Sequence, residues 1–575
     1  MNSKIKQYLH MKNLLSTNIQ VWVLLCLTFS VLTFNKHVNA QVKSEEVTVV
    51  GAYEPSLSDV FKININPEMP ELQIREPDLQ YSITPRLYST VFVPEKITAA
   101  RLSGEPLSRL YQSYIKAGFG NYTTPFVELN YNNLRSRVGN IGLYLKHHSS
   151  SGEIVDFAPA NFSDNIAHIY GRRFTSNHVF DGDIRYERNR INYYGFKPDE
   201  FLIDNDDIDD LIFQRYNNIG LSASVRSNYR GDEQLNHKFM LGYNNLSDFD
   251  GIAENSLSFK AHIDKSVRMI NLLDKEKLSL GFDVAYFNNR YLLENLNATL
   301  FEVKPRYQIG SEHYKLNLGI DAIIESAEDA YIHFFPIIEG QITVAPDVFS
   351  IYGALSGGMQ RNSLKALSDE NPFINTVSLP LEFTTENVAL SGGVKGQVAN
   401  RLSFSIGGKF AETDNIPFFI NDTSNIMHNK FTITHYDGTH VNVFAEFSLW
   451  ASDDFDMMFR GAFNYYNIDA QEHAWHKPAL KGHLTARYRF VDKIRLRAEL
   501  FAQGKTFAKT YDEEMAVKPK EIKPFVDANL GVEYLYTQRL AAFLNINNLT
   551  ASRYYRWYNY PTQRFHFLAG VSYAF

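Results

Sequence analysis

FHFLAGVSYAF, residues 565–575, closes the chain and decides its fold. Every second residue of this stretch is apolar, from Phe565 and Phe567 to Tyr573 and Phe575, and the residues between them are small or polar apart from one leucine. A two-residue period places the two sets on opposite faces of a β-strand. An apolar face with aromatic residues near both ends is typical of a strand that crosses a membrane, because aromatic rings lie at the two interfaces.

The residues before this strand carry a family resemblance. Residues 543–575 contain an apolar strand, then Asn548-Leu549, the pair Tyr554-Tyr555, a short loop, an aromatic-rich strand and a terminal Phe. This order resembles the last two strands of TonB-dependent receptors. Outer-membrane barrels commonly end on such an aromatic residue because the barrel-assembly machinery recognises the final strand. The resemblance therefore implies an assembly signal formed by Phe565, Phe567, Val571, Tyr573 and Phe575.

Composition favours an all-β membrane protein. The chain has 575 residues, of which 14% are aromatic, and mean hydropathy is -0.28. This hydropathy excludes a bundle of membrane helices but not a barrel, because each strand turns only its outward half to lipid. The net charge of -7 comes without a clustered basic face, so no nucleic-acid partner is expected.

The amino terminus predicts export. A lysine-containing start and an apolar run at residues 21–34 precede Val38-Asn39-Ala40, a small-residue site of the kind that signal peptidase cleaves. Residues 1–40 are therefore predicted to be a signal peptide, removed after Ala40. The only cysteine, Cys26, lies inside the apolar run, so the mature chain is expected to have neither disulfides nor thiol chemistry.

A short run of β-formers follows the predicted cleavage site and resembles the segment that TonB-dependent receptors present to TonB, the energising periplasmic protein. Such a segment pairs with an exposed sheet edge of its partner. The alternative is the first strand of a folded domain. The TonB-box-like residues are Glu46, Val47, Thr48, Val49 and Val50.

Residues 55–106 hold seven of the twenty prolines. Because proline lacks the N–H that a central strand needs, this stretch is expected to be extended rather than a compact sheet. Receptors of the family carry a globular plug here, with an Arg-Gly motif and an Asp-Gly pair that this segment lacks. We therefore expect residues 41–110 to form a periplasmic or lumenal extended segment, and residues 111–575 to form a plugless transmembrane barrel.

Alternation predicts which side chains face the barrel lumen. In residues 480–490 and 494–502, apolar residues that face outward alternate with largely charged or polar residues. A sandwich core would have to pair these cations, whereas a water-filled lumen solvates them. The predicted lumen-facing basic residues are Lys481, Arg487, Arg489, Lys493, Arg495 and Arg497.

The strand count depends on one turn signal. Because the chain is expected to end in the periplasm, connections 469–478, 508–521 and 550–562 should lie outside and 491–492 and 537–538 inside. Asp437-Gly438 is a hairpin signal that would make the total odd. Treating it as a bulge in one long strand predicts an antiparallel outer-membrane barrel of about 22 strands.

Several stretches contain residue types that could bind a metal ion, but they lack the positions or spacing that such a site requires. The acidic run 204–210 lacks the glycine and glutamate positions of a calcium loop. Glu472, His473 and His476 do not have the spacing of a zinc-protease motif, and the adjacent His147 and His148 point to opposite strand faces. We therefore predict no catalytic, cofactor or metal site. The aromatic residues of 554–560 could stack on a flat ligand or form an interface girdle.

The resemblance implies transport of a nutrient or other solute across the outer membrane, with outer-membrane lipid and the assembly machinery as partners, and TonB or an outer-membrane lipoprotein as further candidates. The alternative is a structural or pore subunit of a larger complex, plugged by its own amino-terminal segment or by a partner. Because the segment before the barrel is acidic and the predicted lumen wall is basic, we hypothesise that this segment occludes the lumen.

Overall fold

A computed structural model describes residues 111–575, except for 134–135, 202–211, 230–233, 271–273, 293–294, 328, 347, 513 and 515. The predicted signal peptide, the TonB-box-like residues, the proline-rich segment and the acidic run 204–210 lie outside the described residues.

Antiparallel β-strands dominate the described chain, as the alternating pattern predicts. The strands are β1 Ser113–Gly120, β2 Thr124–Asn132, β3 Gly139–Ser150, β4 Phe162–Phe174, β5 His178–Asn192, β6 Phe213–Ser227, β7 Asn236–Ser247, β8 Ala253–Val267, β9 Lys275–Arg290, β10 Asn295–Gly310, β11 Tyr314–Ser326, β12 Ala330–Ala345, β13 Phe349–Arg361, β14 Phe383–Val398, β15 Leu402–Asn421, β16 Phe431–Ser452, β17 Phe455–Ile468, β18 Leu480–Phe490, β19 Ile494–Gln503, β20 Thr506–Tyr511, β21 Val517–Ile522, β22 Phe525–Leu535, β23 Leu540–Asn547, β24 Tyr555–Trp557, β25 Tyr560–Pro561 and β26 His566–Ala574.

A closed sheet of 22 strands forms the barrel, and the hairpins β20–β21 and β24–β25 stand apart from it. Each barrel strand pairs with the next along the chain, and β26 pairs with β1 to close the ring. At the seam, the Ser113 N–H donates to the Phe575 carbonyl at 2.9 Å and the Phe575 N–H donates to the Ser113 carbonyl at 2.8 Å. The predicted fold class and strand count are confirmed.

The two ends of the barrel differ in the length of their connections. At the end that holds Phe575, strands are joined by turns such as 399–401, 453–454 and 491–493. At the other end, the connections include 193–212, 362–382, 504–524 and 548–565. Bacterial barrels have short periplasmic turns and longer extracellular loops, so the long connections mark the extracellular end, as predicted.

The Asp437-Gly438 dipeptide lies inside β16 and forms no turn, in agreement with the predicted strand count. The bulge itself lies on the facing strand, contrary to the prediction that β16 carries it. In β15, Asp414 and Asn415 together face the single residue Asp437. Asn415 has a φ of 56°, and its N–H donates to the Asp437 carboxylate at 2.9 Å. Asn tolerates this left-handed conformation better than most residues, which favours an extra residue at this position.

An apolar belt covers the outside of the barrel. On β5, Phe180 and Ile184 are exposed and alternate with Asp181, Asp183 and Arg185, which face the lumen. Large apolar side chains remain exposed in this way because the outer face of a transmembrane barrel contacts lipid. The outward residues of the last strand, Val571, Tyr573 and Phe575, belong to the same belt.

A row of tyrosines ends this belt on the extracellular side of β5–β10. Each tyrosine hydroxyl donates to an asparagine side chain on a neighbouring strand, and we call these residues the Tyr–Asn band. The pairs are Tyr186–Asn217 at 3.3 Å, Tyr243–Asn255 at 3.0 Å and Tyr286–Asn297 at 2.9 Å. Tyrosine is amphipathic and prefers the level where hydrocarbon meets water, so the band marks the extracellular boundary of the membrane's hydrocarbon layer.

Candidate functional site

The connection 362–382 between β13 and β14 contains the helix α1, Leu364–Glu370, and we call it the strap. Ser363 caps the helix, because its hydroxyl accepts a hydrogen bond from the Ala366 N–H at 3.2 Å. Leu364 and Leu367 are buried. A seven-residue helix is marginal on its own, so its stability comes from what it packs against. No helix among the described residues is long and apolar enough to cross a membrane.

A buried carboxylate on β8 holds the start of the helix. The Glu254 side chain, only 1% exposed, accepts hydrogen bonds from the Leu364 N–H and from the Asn289 side chain, both at 2.8 Å. Hydrogen bonds to an ionised acceptor are stronger than neutral ones, and an orphaned buried carboxylate is costly. Glu254 therefore fixes the strap to the wall formed by β8 and β9.

Two tyrosines hold the rest of the strap to the same side of the barrel. The Tyr216 hydroxyl of β6 donates to the Pro372 carbonyl at 2.9 Å. The Tyr291 hydroxyl, just after β9, donates to the Leu379 carbonyl at 3.0 Å. Both bonds reach strap backbone atoms that no helix or strand satisfies, which is the usual requirement for burying an irregular loop.

The strap also contacts the other side of the ring. The Phe431 N–H at the start of β16 donates to the Phe373 carbonyl at 3.0 Å, and the Asn375 N–H donates to the Phe431 carbonyl at 2.7 Å. Lys477, in the connection between β17 and β18, pairs with Glu370 at 3.0 Å. Since β8 and β17 are nine positions apart in a ring of 22, the strap crosses the extracellular mouth.

The β24–β25 hairpin packs onto the strap. Trp557 and Tyr560 are buried, and the Tyr560 ring stacks on Phe373 with centroids 3.7 Å apart. Trp557 lies against Phe419 and Phe431 with centroids 5.1 and 5.6 Å away. Because the rings of Trp557 and Tyr560 are buried against other side chains, neither residue can stack on a ligand or form part of an interface girdle.

The ends of β15 and β16 extend beyond the membrane boundary and are buried on both faces. Phe418 packs in one cluster with Trp475, and Phe419 packs in another with Trp557. We use the name cap for four parts together. They are the strap, the extracellular ends of β15 and β16, connection 469–479, and connection 548–565 with its β24–β25 hairpin. The cap has a hydrophobic core of its own, separate from the lipid-facing belt.

His476 lies in the core of the cap. Its Nδ1 is 2.9 Å from the Phe419 carbonyl, to which it donates, and its Nε2 accepts from the Tyr558 N–H at 3.4 Å. The rings of Phe431 and Trp557 are each 5.3 Å away. Burial disfavours the charged imidazolium and lowers the pKa of His476 to about 4. The cap is therefore built around a neutral histidine.

The neighbouring His473 does not join His476. It stacks on Phe507 with centroids 3.9 Å apart. In the described part of the chain, no three His, Cys, Asp or Glu side chains are arranged to hold a metal ion. His147 contacts Asn165 at 2.7 Å, while His148 packs against Phe126 and Phe162.

Beneath the strap, the lumen wall has a recess of about 500 Å³. Inward-facing residues of β6–β8 leave room for it because they are small: Gly220, Ser222, Gly242, Ser256 and Ser258. The charged and amide groups around it are Asp183, Arg185, Glu187, Asn218, Asn244, Lys365 and Asp369. A polar hollow of this size suits a small hydrophilic solute.

The recess is linked to the strap through Glu187. The Arg185 guanidinium donates to its carboxylate at 2.6 and 2.8 Å, and the Asn218 amide donates at 3.1 Å. Lys365 of α1 lies 3.6 Å from the same carboxylate and also pairs with Asp369. A solute that competes for Glu187 or Lys365 would therefore act directly on a contact between wall and strap.

The lumen-facing arginines predicted on β18 and β19 have carboxylate partners, which the sequence reasoning did not identify. The pairs are Arg487–Asp456 at 2.9 Å, Arg489–Asp454 at 2.7 Å, Arg495–Glu533 at 3.2 Å and Arg497–Glu499. Lys493 lies in the turn that follows β18, and Lys481 lies at the extracellular end of β18. The wall here is a ladder of ion pairs rather than a purely cationic surface.

Comparison with known proteins supports the fold. No family model matches the sequence, and no curated protein matches it. Among solved structures, the pyoverdine outer membrane receptor FpvA from Pseudomonas aeruginosa PAO1 superposes with a TM-score of 0.61 at 11% identity, over 82% of this chain and 79% of that one. The siderophore receptor PirA from Acinetobacter baumannii gives 0.58 at 10%, over 81% of each chain. The ferric-catecholate import receptor Fiu from Escherichia coli K12 gives 0.60 at 10%, over 81% and 82%.

Proposed function

We propose that this protein is an outer-membrane transport barrel whose cap is the extracellular gate and whose recess receives a small hydrophilic solute. The observation that carries the proposal is the strap, which crosses the mouth and is held on both sides. A purely structural barrel has no need for a polar hollow directly beneath a removable cover.

The barrel fold is similar to that of solved siderophore receptors, which supports transport, and a plain pore would not need a packed cap. The recess combines carboxylates, cations, amides and hydroxyls, so hydrogen bonding rather than ring stacking would orient the solute.

In this proposal the energy for opening comes from TonB acting on residues 46–50, as the resemblance implies. Residues 55–106 would connect that segment to the barrel. The alternative, a structural or pore subunit of a larger complex, has no observation among the described residues that favours it.

The test uses the Glu370–Lys477 pair to lock the gate. The mature chain is predicted to contain no cysteine, so E370C/K477C introduces the only two thiols and a cleavable bifunctional thiol reagent can join them. Cells that carry the wild type, the locked variant or the same variant after reduction are given a mixed nutrient medium. Depletion of each solute is then followed by mass spectrometry.

If the protein is a transporter, at least one solute will be depleted by cells with the wild type and by cells with the reduced variant, but not by cells with the locked variant. The single variants E370C and K477C, treated with the same reagent, control for the modification. If cells with the wild type, the locked variant and the reduced variant deplete every solute equally, the transport proposal fails and the structural alternative is favoured.

A further inference from the structure

Three arginines face outward at the Tyr–Asn band or just beyond it: Arg188 is level with Asn217, and Arg190 and Arg215 lie farther toward the extracellular end. Arg188 and Arg190 follow Tyr186 at two-residue intervals on β5, so they share its outward face. Arg215 on β6 is the direct register partner of Arg190. Arg190 and Arg215 therefore lie on the extracellular side of the membrane boundary, on the surface that faces lipid headgroups.

Among the described residues, Arg190 and Arg215 form no ion pair, and each lies against a phenylalanine ring. The Arg190 guanidinium lies 4.8 Å from the centroid of Phe213, and that of Arg215 lies 5.7 Å from the centroid of Phe249. The two Phe rings contact each other at 4.2 Å. The Nε atoms of both arginines are buried and have no hydrogen-bond partner within the described residues.

Two like charges directly opposite each other in an antiparallel pair destabilise the sheet unless an anion lies between them. The planar guanidinium donates two parallel hydrogen bonds to phosphate, which makes paired arginines a favourable phosphate site. Ile184 and Ile219, on the same outward face and nearer the membrane centre, are exposed apolar residues that can contact acyl chains.

We propose that Arg190 and Arg215, assisted by Arg188, bind the phosphate of a phosphorylated lipid in the outer leaflet. The occupant is a lipid rather than free phosphate, because the arginines sit directly above an apolar surface that extends into the membrane. This site is on the opposite face of the wall from the recess and does not depend on transport.

The experiment uses the full-length protein in a neutral detergent with three probes: diphosphorylated lipid A, the same lipid with both phosphates removed, and inorganic phosphate. Binding is measured by native mass spectrometry. The variant is R190Q/R215Q. The matched control is R226Q/R172Q, which removes the same charge from lumen-facing positions near the periplasmic end.

The proposal expects the phosphorylated lipid to bind the wild type and the control alike, and the R190Q/R215Q variant at least about tenfold more weakly. Equal wild-type binding of lipid with and without phosphates would overturn the proposal, and this arm needs no variant to fold. Binding of inorganic phosphate as tight as that of the lipid would also overturn it, because the site would then take a free anion.

Discussion

The Glu254 carboxylate on the barrel wall accepts the Leu364 N–H of the strap at 2.8 Å, across 110 residues of sequence. This bond joins the wall of the barrel to the element that crosses its mouth. Because Glu254 also accepts from Asn289, its loss disturbs the wall and the strap together.

Replacing Glu254 with alanine is expected to open the gate. The Glu254 carboxylate accepts from two strap amides, the Leu364 N–H at 2.8 Å and the Lys365 N–H at 3.4 Å. Losing these hydrogen bonds to a buried charge costs about 1.5 kcal/mol or more, which raises the ratio of open to closed cap at least about tenfold. The measurement is the open-channel current of the purified protein in planar bilayers. E254Q keeps one acceptor oxygen and should have a smaller effect, while E472A removes an exposed carboxylate from the cap and should leave the current unchanged. Equal currents in E254A and E472A would contradict this role.

The gate is expected to loosen in acid because of His476. Its pKa is lowered to about 4 in the closed cap and returns to about 6.5 when the cap opens. The open form therefore binds the extra proton, so closed-cap stability is complete above pH 6.5, falls by at most about 1.4 kcal/mol per pH unit, and levels off below pH 4. This pH dependence of closed-cap stability is measured by hydrogen exchange of the strap amides, corrected for the intrinsic pH dependence of exchange.

The variant H476N keeps a donor for the Phe419 carbonyl but cannot titrate, so its strap exchange should be flat over the same pH range. H473N, in the same connection, is the matched control and should retain the wild-type profile. A flat profile in H473N as well would assign the effect to another group.

Trp557 is expected to hold the β24–β25 hairpin against the strap. Truncating a buried Trp to alanine typically costs about 3–5 kcal/mol, so W557A should expose strap amides to exchange while the barrel strands stay protected. R556A changes the exposed neighbour in the same hairpin and should behave as wild type. Uniform loss of protection throughout the barrel in W557A would argue against a separately folded cap.

Removing Phe575 is expected to impair barrel assembly by weakening the seam. The deletion takes away both backbone hydrogen bonds to Ser113 and the terminal outward ring. F575A keeps the backbone bonds and loses only the ring, whereas F575Y keeps both. Outer-membrane levels of heat-modifiable protein should fall for the deletion and for F575A if the ring is the assembly signal. Normal levels for all three would rule that signal out.

Deleting residues 55–106 tests whether the acidic amino-terminal segment occludes the lumen. Because the cap is a second barrier, the deletion is made in the E254A background, where the mouth is expected to be open more often. A further rise in single-channel conductance over E254A alone supports occlusion. An unchanged conductance places the segment outside the lumen.

Much of the barrel could be predicted from sequence because the signals are local. A two-residue period in residues 565–575 is visible without any knowledge of neighbours, and turn spacing gives strand number and sidedness. The prediction that β16 carries the bulge is wrong because a local turn signal does not reveal the register between strands. Register decides which strand carries the extra residue, and register depends on pairing between strands.

The cap could not be predicted, because its contacts join residues far apart in the sequence. Tyr193 donates to the Ile374 carbonyl across 181 residues, and neither side has a periodic pattern that points to the other. Likewise, the carboxylate partners of Arg487 and Arg495 lie on adjacent strands at positions that only the register defines. Sequence alone determined that the chain forms a transmembrane barrel, since alternation is a local response to lipid on one side and water on the other. Only the tertiary structure decided that the mouth is covered, because that depends on which loops meet across the ring.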